Sequence, residues 1–362
     1  MSFLVLDALE KTYPDGTKAV KDVSLEIEEG EFIVLLGPSG CGKTTTLRML
    51  AGLEMPTGGT ILLGNQDQTR LTPSERDVGF VFQFYALYPH MSVSKNIAFP
   101  LENMGLVSQE VDRLVSEVSR HVGITEHLHH HPGQLSGGDQ QRVALARAMV
   151  RRPKMFLMDE PLGTLDADRR LAMREFIREQ QIESGITTVY VTHDQEEAMA
   201  LADRIVVMRG GRIDQFDTPT KVYEHPADPL TAQFVGSPGM NLFTGELVVD
   251  GTDRYLRSGD ITIDADTKAL SDIADGPVTL GLRSEYLIPD AEGTLQAETV
   301  LVERLGSHCN VYFDSPVGRL VMRTESDISH RPGDTLKLGY DTQHLRIWAG
   351  DYARPPLEVS ET

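Results

Sequence analysis

The fold of this chain follows from nine residues, Gly37-Pro38-Ser39-Gly40-Cys41-Gly42-Lys43-Thr44-Thr45. They match the pattern G-x-x-x-x-G-K-[ST] of a phosphate-binding loop. The apolar run Phe32–Leu36 before them predicts a buried parallel strand, and Thr45–Ala51 after them predicts a helix that Gly52 ends. Strand, glycine-rich loop and helix in this order are the arrangement that a triphosphate site requires.

Each residue type in the loop has a chemical reason to be there. Glycines let the backbone wrap closely around a phosphate, and the helix N-terminus adds partial positive charge. Lys43 is expected to reach the outer phosphates, and the Thr44 hydroxyl is expected to bind Mg²⁺. Cys41 is interpreted as a small filler residue of the loop.

Length and composition restrict the possible classes of protein. The chain has 362 residues, enough for two domains, and a formal net charge of −20, which argues against binding to nucleic acid or anionic lipid. Two cysteines give no disulfide framework. We find no secretory signal and no apolar run long enough to cross a membrane, so we expect a protein that is soluble or held at a membrane by other subunits.

Polar residues follow several predicted strands directly. Met155–Met158 is followed by Asp159 and Glu160, which fits an aspartate that binds magnesium and a glutamate that activates water. Gln83 follows the strand Val78–Phe82 and is equally compatible with Mg²⁺ or water binding and with a simple strand-end cap.

A histidine ends another predicted strand, Thr187–Thr192. His193 could bond a γ-phosphate oxygen, although a structural histidine is the commoner case when the position is taken alone. Asp194 and Glu197 after it are typical of a helix N-cap and its return contact.

Two further segments suggest ligand contacts. Ser136-Gly137-Gly138 opens a predicted helix and is a second anion-binding design. Tyr13 could stack on adenine, although a tyrosine before a proline turn is more often a packing residue.

Two other segments are unusual in composition. Phe84–Met91 is rich in large side chains and predicts a partner surface if it is exposed. His127, His129, His130 and His131 form a cluster in which a solvated loop is favoured over a metal site, because no cysteine or carboxylate set lies at ligand spacing.

The C-terminal third has a different pattern. Gly236–Gly239 is a plausible boundary, and short β-runs separated by turns follow it, which predicts a small barrel or sandwich. Half of the excess negative charge lies from Ser237 onward, and solubility is the favoured explanation.

Taken together, the motifs resemble those of the ATP-hydrolysing subunit of ATP-binding-cassette importers over nearly the full chain. Six motifs stand in the family's order, which outweighs the alternatives left open for Gln83 and His193. They are the phosphate loop Gly37 to Thr44, the glutamine loop at Gln83, the signature Leu135-Ser136-Gly137-Gly138, the carboxylates Asp159 and Glu160, the aspartate loop Leu165-Asp166, and the switch histidine His193.

The resemblance implies a fold and a domain division. Residues 1–235 are expected to form an α/β P-loop nucleotide-binding domain with an antiparallel β-subdomain and a helical subdomain at about 88–150. Residues 236–362 are expected to form an all-β, OB-like regulatory domain. Ala86–Val93, Asn96–Leu101 and Gly236–Asn241 are similar to segments of bacterial carbohydrate importers of the maltose, trehalose and glycerol-3-phosphate types.

The resemblance also implies the roles of the site residues. Glu160, His193 and Lys43 would be catalytic, and Thr44, Gln83 and Asp159 would hold Mg²⁺. The residues that it assigns to ATP are Tyr13, Gly37, Pro38, Ser39, Gly40, Cys41, Gly42, Lys43, Thr44, Thr45, Gln83, Ser136, Gly137, Gly138 and Asp166.

Two positions depart from the family's usual pattern. Asp139 stands where the family usually has Gln, and Gly163-Thr164 replaces Ser-Asn or Ser-Ala. An acidic residue is favourable at a helix start, so Asp139 is interpreted as a tolerated residue, and neither change is expected to abolish activity.

The partners also follow from the resemblance. A second copy of the chain would complete the ATP site head to tail, and two permease subunits would be contacted near Phe84–Met91, with a solute-binding protein acting indirectly. The expected location is the cytoplasmic face of the bacterial inner membrane. Importers for sulfate, polyamine or iron, and less readily a non-transport ATPase of DNA repair, chromosome structure or translation, remain as alternatives.

Overall fold

A computed structural model describes residues 2–250, 253–263, 265, 273–325 and 330–352. The chain divides into two compact units, Met1–Thr220 and Lys221–Thr362. The predicted α/β part followed by an all-β part is confirmed. The end of the predicted C-terminal domain, after residue 352, lies outside the described residues.

The first unit contains two sheets and the helices that connect their strands. Its strands are β1 (Leu4–Thr12), β2 (Lys18–Ile27), β3 (Phe32–Leu36), β4 (Gly58–Leu63), β5 (Gln66–Asp67), β6 (Val78–Val81), β7 (Met155–Asp159), β8 (Thr187–Thr192), β9 (Arg204–Arg209) and β10 (Arg212–Asp217). Its helices are α1 (Lys43–Leu50), α2 (Val93–Asn103), α3 (Ser108–His121), α4 (Gly137–Met149), α5 (Ala167–Ser184) and α6 (Gln195–Leu201).

The central sheet of this unit is parallel except at one edge. Its order is β10-β9-β3-β8-β7-β6, and only β10 runs antiparallel to its neighbour. Every residue of β3, β7 and β8 is buried, as expected of strands covered on both faces. The carboxyl ends of these strands therefore lie at one edge of the sheet.

A second sheet of this unit is antiparallel, with the order β2-β1-β4-β5. Alternate residues of β2 are buried, including Val23, Leu25 and Ile27, so one face packs on the core and the other is solvated. This sheet is the antiparallel β-subdomain that the resemblance implied.

The second unit is built from antiparallel strands after two short helices, α7 (Pro219–Glu224), which spans the division between the units, and α8 (Pro229–Phe234). Its strands are β11 (Asn241–Asp250), β12 (Asp253–Ser258), β13 (Ile261–Ile263), β14 (Gly276–Leu282), β15 (Leu287–Pro289), β16 (Leu295–Arg304), β17 (Cys309–Ser315), β18 (Gly318–Thr324), β19 (Thr335–Tyr340) and β20 (Arg346–Ala349). They form two five-stranded sheets, β13-β12-β11-β14-β20 and β15-β19-β16-β17-β18.

A buried arginine ties the connecting helices to these sheets. Arg283 is 2% exposed and donates to the backbone oxygens of Tyr223, Ala232 and Val235. The boundary between the compact units follows Thr220, whereas the predicted domain boundary follows Val235.

Another buried arginine holds the end of the helix that follows the phosphate loop. Arg76 is 1% exposed, and its Nη1 donates to the backbone oxygens of Met49 (2.6 Å) and Leu50 (2.7 Å). The last carbonyls of a helix have no partner within the helix, so Arg76 supplies a donor to the Leu50 oxygen and a second donor to the Met49 oxygen, which also accepts the Gly52 N–H at 3.1 Å. The position and length of α1 therefore depend on a residue distant in sequence.

We expect Arg76→Met to lower the free energy of unfolding of the first unit by about 2–3 kcal/mol, because buried carbonyls lose their donor. Urea denaturation of the full chain measures this change. Arg113→Met is the matched control, since Arg113 forms ion pairs on the exposed surface of α3 and such pairs contribute at most about 1 kcal/mol. Equal midpoints for the two variants would contradict the capping role of Arg76.

Candidate active site

The phosphate-binding loop connects β3 to α1, and two of its glycines, Gly37 and Gly42, stand where no side chain fits. A Cβ on Gly37 would lie 2.3 Å from the backbone oxygen of Met208, and one on Gly42 would lie 2.4 Å from that of Ala19. Gly42 also has φ 103°, in the left-handed region that favours glycine. Neighbouring strands therefore enclose the loop closely and determine its course.

Lys43 lies over the inside of this loop. Its side chain is 5% exposed, and Nζ donates to the backbone oxygens of Gly37 (2.6 Å) and Pro38 (3.0 Å). Cys41 is buried beside it, with Sγ 3.8 Å from Nζ. The Lys43 ammonium group is thus held against the backbone of the loop by two carbonyl oxygens, and its positive charge favours an anionic ligand there.

Two oxygen-bearing side chains meet at the start of α1. Thr44 Oγ1 donates to Asp159 Oδ1 at 3.0 Å, although the two residues are 115 positions apart. Burial raises the pKa of Asp159, which is 8% exposed, and the Thr44 hydrogen bond and the charges of Arg48 and Lys43 act in the opposite direction. A hydroxyl and a carboxylate are hard oxygen donors of the kind that Mg²⁺ prefers, so this pair fits a magnesium ion that is also held by phosphate oxygens.

Three predicted site residues meet at the carboxylate of Glu160. Gln83 Nε2 donates to Glu160 Oε2 at 3.3 Å, and His193 Nδ1 lies 3.3 Å from the same oxygen. Glu160 has φ 43°, an uncommon conformation for a residue with a side chain, and its backbone N–H donates to Val191. Strained backbone of this kind concentrates at functional sites because the surrounding structure must hold it in place.

The tyrosine before the first turn lies close to the phosphate-binding loop. Tyr13 Oη is 3.4 Å from Thr45 Oγ1, and Lys11 Nζ lies 5.2 Å from the centre of the Tyr13 ring. The side chain is only half-buried. The structure thus places an accessible aromatic ring beside the end of the loop.

The signature residues form the start of α4. Ser136 is the N-cap of this helix, and its Oγ both accepts from the Asp139 N–H (3.2 Å) and donates to Asp139 Oδ2 (2.6 Å). His127 Nε2 lies 4.0 Å from the same Asp139 oxygen. Within the described part of the chain, no hydrogen bond or ion pair joins Ser136–Gly138 to residues 37–45.

The aspartate loop leads into α5. Asp166 is the N-cap of this helix, where it accepts from the Arg169 N–H at 3.0 Å. Thr164, one of the two positions that depart from the family's pattern, is hydrogen-bonded through its hydroxyl to Tyr85 Oη. This loop thus contacts the aromatic segment after Gln83.

An apolar groove opens beside that segment. It has a volume of roughly 590 Å³, and its walls include Leu53, Phe82, Tyr88 and Met104. Phe84 next to it is 76% exposed. The condition set for a partner surface, exposure of this segment, is met by Phe84, whereas Tyr85 is only 7% exposed.

The backbone beside the groove is held in an uncommon conformation. Tyr85 and Ala86 have φ values of 60° and 47°. Arg147 on α4 donates to both of their backbone oxygens, at 2.8 and 2.7 Å. Their shape therefore depends on a residue of the helix that the signature begins.

Sequence reasoning missed the role of two charged residues behind the site. The Asp194 carboxylate caps α6 as predicted, but the hydrogen bonds of the Glu197 carboxylate go to Tyr190 Oη and Thr192 Oγ1, both at 2.8 Å. Arg170 was not singled out, and it lies 3.3 Å from Asp194. A glutamate three residues after an N-cap is a common capping pattern, but here the hydroxyl groups of Tyr190 and Thr192 on β8 bind the carboxylate instead.

The four clustered histidines lie between α3 and α4. His127 Nδ1 and His130 Nδ1 lie 3.2 Å apart, and the described residues contain no group of three or more His, Cys, Asp or Glu side chains arranged to hold a metal ion.

None of the described helices combines the length and the apolar character that a membrane span needs.

Three family models match the chain. The model described as ABC transporter matches residues 20–163, that described as MalK OB fold domain matches residues 236–287, and that described as TOBE domain matches residues 280–348.

Curated relatives match over almost the whole chain. The sn-glycerol-3-phosphate import ATP-binding protein UgpC of Psychromonas ingrahamii is 42% identical over 363 residues, which cover 98% of this chain and 95% of the relative. The trehalose import ATP-binding protein SugC of Mycobacterium tuberculosis is 41% identical over 384 residues, which cover 97% of each protein.

Solved structures match about three fifths of the chain. The ATP-binding cassette MJ0796, in a dimeric post-hydrolysis state bound to ADP and Pi, is 32% identical with a TM-score of 0.54 and covers 60% of this chain and 98% of its own. The protein cbiO1 from Clostridium perfringens, part of the ABC transporter complex cbiONQ, is 29% identical with a TM-score of 0.58 and covers 64% of this chain and 94% of its own.

We expect Gly42→Ala to weaken ATP binding at least about tenfold, because both its φ and the approach of Ala19 require a glycine. Equilibrium binding of a fluorescent ATP analogue measures the effect. Gly40→Ala is the matched control, since Gly40 has φ 78° but no described atom lies within 4 Å of the place that its Cβ would take, so only the backbone cost applies. Equal losses in the two variants would show that the contact with Ala19 has no influence.

Proposed function

This chain belongs to the ATP-binding-cassette transporter family, and we propose that it is the ATP-hydrolysing subunit of an importer for a sugar or sugar-like solute. The observation that carries the proposal is identity of about 42% over nearly the full chain to import ATP-binding proteins. The OB and TOBE matches in the second unit agree with the same subgroup.

The relatives favour this solute class over the alternatives. Those named above import sn-glycerol-3-phosphate and trehalose, whereas sulfate, polyamines and iron differ from both in chemistry. A non-transport ATPase acting on nucleic acid is disfavoured by the net charge of −20.

We propose that ATP binds with its phosphates in the loop Gly37 to Thr45. Backbone N–H groups and the N-terminus of α1 would hold the phosphates, and Lys43 would exchange its carbonyl partners for phosphate oxygens. Tyr13 would stack on the adenine. Its half-buried ring beside Thr45 is compatible with that role.

Thr44, Asp159 and Gln83 are the proposed magnesium ligands. The 3.0 Å contact between Thr44 and Asp159 supports the first two, whereas Gln83 contacts Glu160 and would have to turn toward the ion. When bound, the ion would offset the negative charge of the phosphates.

Glu160 is the proposed general base. Its carboxylate would accept the proton of the attacking water, and the strained backbone fixes where this carboxylate stands. His193 would hold the γ-phosphate, and Lys43 would stabilise the charge that develops on it.

A second copy of the chain would complete the site. Ser136, Gly137 and Gly138 have no polar contact with the phosphate-binding loop in the described part of the chain, and they form an exposed helix N-terminus. Placed over the ATP of a partner chain, with Asp166 beside it, they would exclude water from the triphosphate. A related cassette is a dimer in its post-hydrolysis state, which supports this arrangement.

The apolar groove near Phe84–Met91 is the proposed docking site of the permease subunits. Its walls are mainly apolar, with Arg147 and Arg151 among them, and its volume of roughly 590 Å³ suits the end of a short helix. Its position after Gln83 connects it to Glu160. The chain would thus be attached to the cytoplasmic face of a bacterial inner membrane through its partners. The solute-binding protein would act on it only through the permeases.

The family-model matches suggest that two domains have different tasks. We propose a nucleotide-binding domain over residues 1–235, with a helical subdomain at about 88–150, and an OB-like regulatory domain over residues 236–362. The match of the OB model from residue 236 onward supports this division.

We expect Glu160→Gln to bind ATP but to hydrolyse it at least about 100-fold more slowly, because loss of a general base commonly costs about 10²–10⁴-fold. ATP binding and phosphate release by the purified protein measure the two effects. Glu175→Gln, on the exposed face of α5, is the control and should leave turnover unchanged. Near-normal turnover in Glu160→Gln would reject the role of Glu160 as base.

The solute class is tested on the complete transporter. We expect the complex of this chain with its permeases and binding protein, reconstituted in liposomes, to hydrolyse ATP several-fold faster with trehalose, maltose or sn-glycerol-3-phosphate than without solute. The faster rate follows because solute binding would promote closure of the two ATP sites. Stimulation by sulfate, spermidine or ferric iron alone would overturn the carbohydrate assignment.

A further inference from the structure

A buried carboxylate lies behind the candidate site and has no part in the mechanism above. Glu197 on α6 is 3% exposed, and its Oε2 accepts from Tyr190 Oη and Thr192 Oγ1, both at 2.8 Å. Burial raises the pKa of Glu197, and these two hydrogen bonds act against that rise. A buried carboxylate is costly unless it is hydrogen-bonded, so a role for this group must come from what it holds in place.

The hydrogen bonds of Glu197 fix the backbone on both sides of His193. Thr192, which donates to Glu197, also accepts the N–H of Asp194 at 3.0 Å. The Asp194 carboxylate in turn accepts the N–H groups of Glu196 and Glu197. The residues before and after His193 are therefore joined in one network that includes Glu197.

Arg170 extends this network to the aspartate loop. Its Nη1 lies 3.3 Å from Asp194 Oδ2, and its Nη2 donates to the backbone oxygen of Leu165 at 3.3 Å. Its buried Nε lies 4.0 Å from Glu197 Oε1 and makes no hydrogen bond among the described residues. One guanidinium group thus connects the turn that carries His193 with the loop that carries Asp166.

A small cavity shows how close this network is to the site. It has a volume of about 50 Å³, and its walls include Glu160, His193, Arg170 and Glu197. A water molecule needs only about 10–15 Å³ of such space. The proposed catalytic residues Glu160 and His193 therefore line the same cavity as the partly exposed Arg170 and the buried Glu197.

The side chain of His193 is largely exposed to solvent. It is 62% exposed, and its polar contact is the 3.3 Å approach to Glu160. We infer that Glu197 and Arg170 are positioning residues, which set the place of His193 relative to Glu160 by fixing the backbone around Thr192 and Asp194. A displacement of about 1 Å at a reacting group can cost on the order of 100-fold in rate.

This inference rests on the proposed role of His193 in hydrolysis, so the test separates the two. The alternative is a network that stabilises the fold and has no specific effect on His193. A structural role predicts losses in stability that are independent of His193. A positioning role predicts losses in kcat that depend on it.

The first experiment measures ATP hydrolysis by the full chain with Glu197→Gln and Arg170→Met. Gln keeps the volume of Glu197 and an oxygen for Tyr190 and Thr192, but it loses the charge that faces Arg170. We expect kcat to fall about tenfold in each variant, with KM for ATP changed less than about threefold, since ATP-binding groups are not displaced. Arg178→Met is the matched control on α5, because it removes an ion pair with Asp203 outside the network and should leave kcat unchanged.

The second experiment repeats Glu197→Gln in a His193→Ala background. If Glu197 acts through His193, the added substitution should slow hydrolysis less than about twofold further. If Glu197→Gln lowers kcat by the same factor in the His193→Ala background as in the unsubstituted chain, the inference is overturned, while the role of His193 is unaffected. Normal turnover in His193→Ala alone would overturn both the inference and the proposed role of that residue.

Arg170→Lys keeps the test decisive if Glu197→Gln does not fold. Lysine retains a cation near Asp194, so it should recover most of the kcat that Arg170→Met loses. Lysine and methionine variants with the same reduced kcat and the same lowered thermal stability would assign the network to fold stability alone, and so reject the inference.

Discussion

The parallel pairing of β8 with both of its neighbours is the constraint on which the rest of the structure depends. Leu36 of β3 pairs with Thr192, and Asp159 of β7 pairs with Val191. Because the carboxyl ends of parallel strands meet at one edge, the residues that follow them, Gly37, Glu160 and His193, arrive together. Backbone hydrogen bonds between the fully buried strands β3, β7 and β8 fix this register. They bring the phosphate loop, the carboxylates and the histidine together, and the side-chain contacts Thr44–Asp159 and His193–Glu160 follow from that placement.

Several residues near this edge have an uncommon backbone conformation. Glu160, Tyr85 and Ala86 have positive φ values, and each is held by groups from another element: Val191 for Glu160 and Arg147 for the other two. Conformations of this kind persist only where the surroundings over-determine them. Arg147 comes from the helix that the signature begins, so the shape of the groove and the position of the signature are linked by one side chain.

In the proposed arrangement, the candidate site of one chain encloses a ligand from one side only. Lys43, Thr44, Asp159 and Glu160 form a cluster suited to bind and hydrolyse a phosphate on one side, while the signature helix N-terminus is satisfied by its own Ser136 and Asp139. A triphosphate enclosed on one side only would stay in contact with water, which weakens every electrostatic interaction within the site. Closure by a second copy would supply what the single chain lacks, and it would make hydrolysis sensitive to anything that moves the two copies, including a partner in the groove.

The sequence by itself determined the type of fold, the phosphate-binding loop and the order of the motifs, because each depends on local pattern: apolar runs, glycines at a turn and polar residues at strand ends. Tertiary structure alone decided which of these residues meet. Gln83 donates to Glu160 and not to Thr44. The Glu197 carboxylate accepts from Tyr190 and Thr192 and does not make the capping contact that the sequence predicts. Arg76 and Arg170 make contacts that no sequence motif predicts. The physical reason is that a buried polar group takes whichever partner the packed elements bring within about 3 Å, and that choice depends on residues far apart in sequence.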